Sequence, residues 1–522
     1  NPADTIIKQA IFGRKFALCV PDSFRLIACL ILLIICLPAV VAPRQMRGYM
    51  LFSSNIFLFL FLPLTIIIYY VLPRRLRNAF LFLVSLIFYG WGEPKFLFIM
   101  LGCIVFDYVF AIIIHKIEKT GPKKAVLAFA IACNLGLLFV YKYLNFAVTN
   151  LNQLGLNLPY KQIVLPLGIS FFTFQAISYL IDVYRNNAKV QYNPLNIGLY
   201  ITFFPHLCAG PIVRYQTIAD QIISRKESVS DFSEGVRRFI IGFSKKVILA
   251  NNMALVADAA FKAADPSRTV AYAWVGALAY AFQIFFDFSG YSDMAIGMAR
   301  MFGLHFLENF NYPYISASIS EFWRRWHISL GQWFRDYVYF PLGGSRVKSR
   351  WRMAFNLLVV WTLTGIWHGA SWNFLIWGLG YFVLIAFEKL TDIPNRFQHT
   401  WQKIAYRIFT LLCVLLGWVI FRANGMQAGW NYILSMVGAN GNALAGVDVA
   451  GALRDYWFFF LAAIVCSTPV FRNMKNKLME SKSKAVLVAL NVVTVAAYLF
   501  IFIWAFSFLI LGSQNPFIYF NF

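Results

Sequence analysis

Side chains able to do acid–base chemistry are scarce in this chain: six histidines, at positions 115, 206, 305, 327, 368 and 399, and 22 carboxylates among 522 residues. Two histidines have unusual surroundings. His327 lies in E-F-W-R-R-W-H-I-S-L, and His368 ends the apolar run N-L-L-V-V-W-T-L-T-G-I-W-H-G-A-S. A neutral imidazole, with its pKa near about 6.5, can take a proton from a hydroxyl and hand it to a leaving group. A lone histidine on an apolar helix is more often a packed side chain bonded to a backbone carbonyl. At His368 the flanking Trp367 and Gly369, an aromatic wall and close backbone access, weigh toward chemistry.

Around His327, the guanidinium groups of Arg324, Arg325 and Arg335, with Trp326 between them, have the make-up of a phosphate or carboxylate clamp at a membrane surface. In F-D-F-S-G-Y-S-D-M-A (286–295), Asp287 and Asp293 interrupt an apolar stretch. Carboxylates there must be paired or hydrogen-bonded, as partners of arginines or as orienters of a histidine, and structural pairing is the favoured reading. His206, in F-F-P-H-L-C-A-G-P, sits at a helix break and is a candidate for lining a cavity; His115, His305 and His399 read as ordinary. No metal site is expected, because the eight cysteines show no C-x-x-C or zinc-like spacing and H-E-x-x-H is absent. G-x-x-x-x-G-K-[ST] and the G-x-S-x-G nucleophile turn are absent too.

The elements that must hold these residues follow from composition. Apolar residues make up 60% of the chain and charged residues 13%, against roughly 25% charged in a soluble domain, which excludes an ordinary soluble globule. The net charge of +24 sits in short clusters between apolar runs, the pattern of cytoplasmic loops, so nucleic acid is not an expected partner and the lipid bilayer is. Candidate spans lie near 26–43, 51–73, 78–92, 96–115, 124–144, 164–182, 194–213, 236–257, 270–286, 353–372, 374–389, 404–421, 456–471 and 484–511. Those at 78–92, 164–182 and 194–213 are short or broken by residues such as Pro166, Gly168, Pro205, Gly210 and Pro211, and predict half-spanning or re-entrant helices around a cavity. The fold class is therefore an all-α, polytopic integral membrane protein.

The basic clusters near 74–77, 116–124, 214–238, 346–352 and 472–484 read as cytoplasmic and the segment 151–162 as external. With Arg352 at the cytoplasmic face, the 16 residues to His368 correspond to ~24 Å of helical rise, which puts His368 deep in the membrane. The segment 304–350 is amphipathic and rich in Trp, Tyr and Arg, and is expected as interfacial helices on the cytoplasmic face. Residues 1–49 are expected to be an extension outside the functional core, and 50–522 to form one integral domain.

The two histidine segments, with their histidines 41 residues apart, resemble the membrane-bound O-acyltransferase family. L-P-L-G-I-S-F-F-T-F-Q (165–175), F-P-H-L-C-A-G-P-I-V-R (204–214), F-F-D-F-S-G-Y-S-D-M-A-I-G (285–297) and N-F-N-Y-P-Y (309–314) extend the resemblance toward its bacterial branch that acetylates alginate. It runs from Met50 to the C-terminal F-I-Y-F-N-F. The resemblance implies spanning and re-entrant helices around a central tunnel, His368 as the catalytic histidine and His327 as the second characteristic histidine on the cytoplasmic donor side. It also implies acetyl-CoA or another acyl thioester as donor, with no bound cofactor. The implied location is a bacterial cytoplasmic (inner) membrane. The implied partners are an extracytoplasmic acetyltransferase or a polysaccharide-export protein, with an acyl-carrier protein as an alternative source of acyl group. Rival readings are D-alanyl transfer to teichoic acid, peptidoglycan O-acetylation and, from another class, a transporter.

Overall fold

The computed structural model describes residues 50–518 except 160, 265, 266, 482, 513 and 514. The expected extension 1–49 and the apolar run 26–43 lie outside the described residues. Every regular element among these residues is helical, as a bilayer demands of a chain whose backbone groups must bond within their own segment.

A π-helical turn, Phe57–Phe61, leads into α1 (Leu62–Val71), followed by α2 (Arg74–Gly92) and α3 (Leu97–Lys116). α4 (Thr120–Leu138) runs through a second π turn, Phe139–Tyr143, into α5 (Leu144–Gln153) as one 34-residue rod. Then come α6 (Ile169–Tyr184) and the short α7 (Pro194–Thr202), α8 (Phe204–Leu207) and α9 (Tyr215–Ile223). α10 (Val229–Ser244), a π turn at Lys245–Ala250 and α11 (Asn251–Lys262) form a second long rod beside α12 (Val270–Met301). α13 (Ile319–Arg325), α14 (Ile328–Phe334) and a π turn at Arg335–Tyr339 precede the hairpin of α15 (Arg350–His368) and α16 (Trp372–Thr391). α17 (Ile393–Arg396), α18 (Thr400–Arg422), α19 (Met426–Met436), α20 (Val447–Cys466), α21 (Val470–Met479) and α22 (Lys484–Ile510) complete the bundle.

Eight helical rods among the described residues are long and apolar enough to cross a membrane. The α10–α11 rod and α12 are buried along most of their length and form the centre, whereas α20 and α22 present their apolar side chains outward, as lipid-facing helices do.

The expected break near residue 194 is present: α7, at nine residues, rises only ~13.5 Å, less than half of a ~30 Å hydrocarbon layer. The break before α6 packs directly on the end of α8. Gly168 has φ of +75°, and a Cβ there would lie 2.8 Å from the carbonyl oxygen of Leu207. Two element boundaries differ from the sequence reading. The 270–286 span continues unbroken to Met301 because Asp287 and Asp293 are each met by cations from α10 and its π turn. The 78–92 segment extends back to Arg74 as a continuous 19-residue helix.

Candidate active site

α15 delivers its last residue, His368, into the interior. The helix approaches α16 closely because both carry glycine at the crossing: a Cβ on Gly365 would lie 2.6 Å from the Phe374 carbonyl oxygen, and one on Gly378 2.5 Å from that of Trp361. His368 is 4% exposed. Its ring is boxed by Trp367, Trp377 and Phe421, with centroids 5.1, 5.1 and 5.2 Å away and planes at 80–82°, an edge-to-face arrangement that fixes its orientation.

His327 arrives from another direction, at the break between α13 and α14, where its φ of +45° is in the left-handed region. Such a conformation persists in a non-glycine residue only when its surroundings hold it, and here Asn309 does. The Asn309 carbonyl accepts from Ile328 N (2.9 Å). Its side-chain Oδ1 accepts from Ser329 N (3.2 Å) and Ser329 Oγ (2.9 Å), while Asn309 Nδ2 donates to Ser292 Oγ (3.0 Å). The same Oδ1 lies 3.2 Å from His327 Nδ1, which assigns the ring proton to Nδ1 and leaves Nε2 as an acceptor. Nε2 is buried and has no hydrogen-bond partner among the described residues.

The two imidazoles flank one indole. His327 lies 6.0 Å from the Trp367 ring, centroid to centroid, and packs edge-on against Phe288 at 4.6 Å. The buried Nε1–H of Trp367 also has no partner among the described residues, so the indole that both histidines approach carries an unused donor. The amphipathic make-up of 304–350 and the arginines around His327 suggested a surface position, and this histidine is instead buried in protein. Ile319, Phe322, Trp326 and His327 are all buried. The aromatic residues, which made the segment look amphipathic, pack inward: Trp326 stacks on Phe322 and meets Trp418 at 4.7 Å.

The other expected site residues divide. Asp287 is paired with Lys246 at 2.5 Å and accepts from Ile518 N at 2.7 Å. Asp293 receives Arg238 and Lys245, each at 2.7 Å, and Arg238 also pairs with Glu308. Both carboxylates are thus tied to cations of α10 and its π turn. His206 bonds through Nε2 to the Tyr200 carbonyl oxygen at 2.8 Å and packs on Phe203 and Phe306, with no described contact to His327 or His368. The three arginines do not converge. Arg324 is exposed, Arg325 is held by Glu321 and the Asn311 carbonyl, and Arg335 pairs with Asp336 beyond α14.

At that end Asp336 also pairs with Arg214, and its backbone carbonyl accepts from Arg185. A cleft of about 440 Å³ opens there, lined by Asp182, Arg185, Gln216, Asp336 and Tyr337 among others. Sequence reasoning missed Asn309, although it sits in N-F-N-Y-P-Y, and missed Lys142, whose signal was plain: it is the one charged residue between Lys124 and Lys161.

Residues 185–427 match the model of the MBOAT, membrane-bound O-acyltransferase family. The chain is 43% identical over 393 residues to a protein of Azotobacter vinelandii named "Probable alginate O-acetylase AlgI", covering 74% of this chain and 78% of that protein. A protein of the same name from Pseudomonas putida is 39% identical over 495 residues, 91% of this chain and 100% of its own length. The peptidoglycan O-acetyltransferase of Helicobacter pylori is 34% identical over 519 residues, 91% of this chain and 98% of its own. Similarity of this extent, together with a buried pair of motif histidines in an all-helical membrane bundle, leads to one conclusion: the chain belongs to the membrane-bound O-acyltransferase family and is an O-acyltransferase.

Proposed function

We propose that the chain moves an acetyl group from a cytoplasmic thioester donor, acetyl-CoA, toward hydroxyls of an extracytoplasmic polysaccharide such as alginate, through an external partner acetyltransferase. Its place is the cytoplasmic (inner) membrane of a bacterium. The observation that carries this reading is the pairing of His327 and His368 across Trp367 in a buried aromatic box. The names of the relatives with the highest identity reported above supply the acceptor.

In this reading the charged end of the donor docks at the basic face, where Arg335 stands with Arg185 and Arg214 beside the cleft and Arg324 is exposed. The acyl group passes inward. His368 takes the proton of the attacking hydroxyl, the new C–O bond forms at the thioester carbonyl, and the C–S bond breaks as the imidazolium returns the proton to sulfur. The Trp367 Nε1–H is available as a donor to the carbonyl oxygen, and His327 Nε2 as an acceptor for an N–H or O–H of a substrate; a donor aimed at a developing oxyanion in a dry site is worth several kcal/mol, about 10²–10³ in rate. The aromatic lining excludes water, which would otherwise hydrolyse the thioester.

The test is O-acetyl content of extracellular polysaccharide in cells lacking the chain and complemented with wild type or His368→Ala at equal membrane abundance. Loss of acetyl esters on the polysaccharide with His368→Ala is the expected result. Acetyl esters lost from muramic acid instead would make the acceptor peptidoglycan, as the name of the Helicobacter pylori relative states for that protein. Unchanged esters in both polymers would overturn the reading.

A further inference from the structure

The rod carrying Lys142 is long and apolar enough to cross a membrane, yet at its π turn this lysine is turned into the protein and is only 9% exposed. No described ion pair includes it. Its Nζ donates to the Trp367 carbonyl oxygen at 2.5 Å, to Ser170 Oγ at 3.1 Å and, longer, to the His368 carbonyl oxygen at 3.4 Å. The next residue, Tyr143, donates its hydroxyl to the Ile366 carbonyl oxygen at 2.9 Å. One turn therefore covers the carbonyls of the last three residues of α15.

Those carbonyls need covering. The last four C=O groups of a helix have no intrahelical partner, and α15 stops at His368 because the chain leaves through an extended Gly369. In a membrane interior an unmet carbonyl costs several kcal/mol. A cation at a helix C-terminus is further favoured by the helix dipole. The π turn explains how the sequence achieves this: the extra residue in the turn re-aims its side chains, a device common at functional sites.

We propose that Lys142, with Tyr143, is a positioning residue for the acyl-transfer reaction, clamping the C-terminal turn of α15 so that Trp367 and His368 keep their reactive geometry. This rests on the reading of His368 given above. All three ammonium hydrogens are committed to Trp367, His368 and Ser170, so Lys142 acts through His368 and takes no proton or acyl group itself. A displacement of about 1 Å at a reacting group costs about 100-fold in rate, so loosening the clamp should show in turnover rather than in donor binding.

The experiment compares full-length wild type, Lys142→Met, Tyr143→Phe and His368→Ala in lipid nanodiscs. It follows thiol release from acetyl-CoA with an alginate oligosaccharide and the co-expressed external acetyltransferase, alongside thermal unfolding of each variant. Lys142→Met is expected to lower kcat about 100-fold with the acetyl-CoA KM unchanged in the folded fraction. Tyr143→Phe deletes one hydrogen bond at the edge of the clamp, and should lower kcat about two- to tenfold, again without moving KM. A wild-type kcat per folded molecule in Lys142→Met, or activity lost only in proportion to unfolding, overturns the proposal. Should Lys142→Met not accumulate, a wild-type kcat in Tyr143→Phe overturns it. Wild-type turnover in His368→Ala overturns the proposal together with the reading beneath it, whereas an inactive His368→Ala beside a fully active Lys142→Met overturns the proposal alone.

Discussion

At the scale of single residues, the two histidines are held by different means. The His368 ring is packed edge-to-face by Trp367, Trp377 and Phe421, while the His327 ring is held by the hydrogen bond from Nδ1 to Asn309. With His368 as the proposed proton acceptor, His368→Ala is expected to be the severe lesion and to lose about 10²–10⁴-fold in kcat, measured as thiol release per folded molecule, with membrane abundance unchanged. Asn309→Ala removes the group that sets the His327 tautomer and steadies its left-handed backbone. For one lost hydrogen bond of ~1.4 kcal/mol we expect kcat to fall about tenfold, and Asn309→Asp to recover part of the loss in the same assay.

At the scale of elements, the site depends on how closely α15 and α16 approach. Gly365 and Gly378 leave room for backbone to touch backbone, and the turn between the helices sends His368 toward Phe421 of α18. Gly378→Val would push its new methyl groups into the Trp361 carbonyl, in the manner of overpacking, which costs typically about 1–3 kcal/mol. The expected outcome is a lower thermal unfolding midpoint in detergent together with reduced turnover, whereas Gly380→Val, where nothing lies within 4 Å of a Cβ, should leave the midpoint unchanged. The α4–α5 rod belongs to the same arrangement: beyond Lys142 and Tyr143, its Asn150 accepts from the indole of Trp372 at the start of α16, at 2.8 Å.

At the scale of the whole molecule, the central rods are stitched by ion pairs rather than by apolar contact alone. Asp287 with Lys246, and Asp293 with Lys245 and Arg238, join α12 to α10 and its π turn, and the backbone N–H of Ile518 donates to Asp287. Breaking one partner of a buried pair leaves an uncompensated charge and costs about 3–5 kcal/mol, whereas replacing both with apolar side chains is often close to neutral. Lys246→Met alone should therefore depress the yield and thermal stability of folded protein, and Lys246→Met with Asp287→Leu should restore much of both, a double-mutant comparison read by thermal unfolding in detergent.

What could be read from the sequence alone was what composition and short segments carry. The all-α membrane class follows from apolar run length, the helix breaks before α6 and around α7 from proline and glycine, and the choice of His327 and His368 as candidates from their local motifs. The charged partners of Asp287 and Asp293 could not be read, because Arg238, Lys245 and Lys246 lie about 40 to 55 residues away and no local rule links them. The burial of His327 was missed for a similar reason: amphipathic composition cannot tell a helix lying on a surface from one whose aromatic face is buried in protein. Only tertiary structure decided that the two imidazoles meet across Trp367 and that a lysine more than 200 residues earlier caps the helix carrying His368. Those facts depend on the packing of distant rods, where a π turn redirects a side chain and backbone carbonyls left over at a helix end must find donors inside the protein.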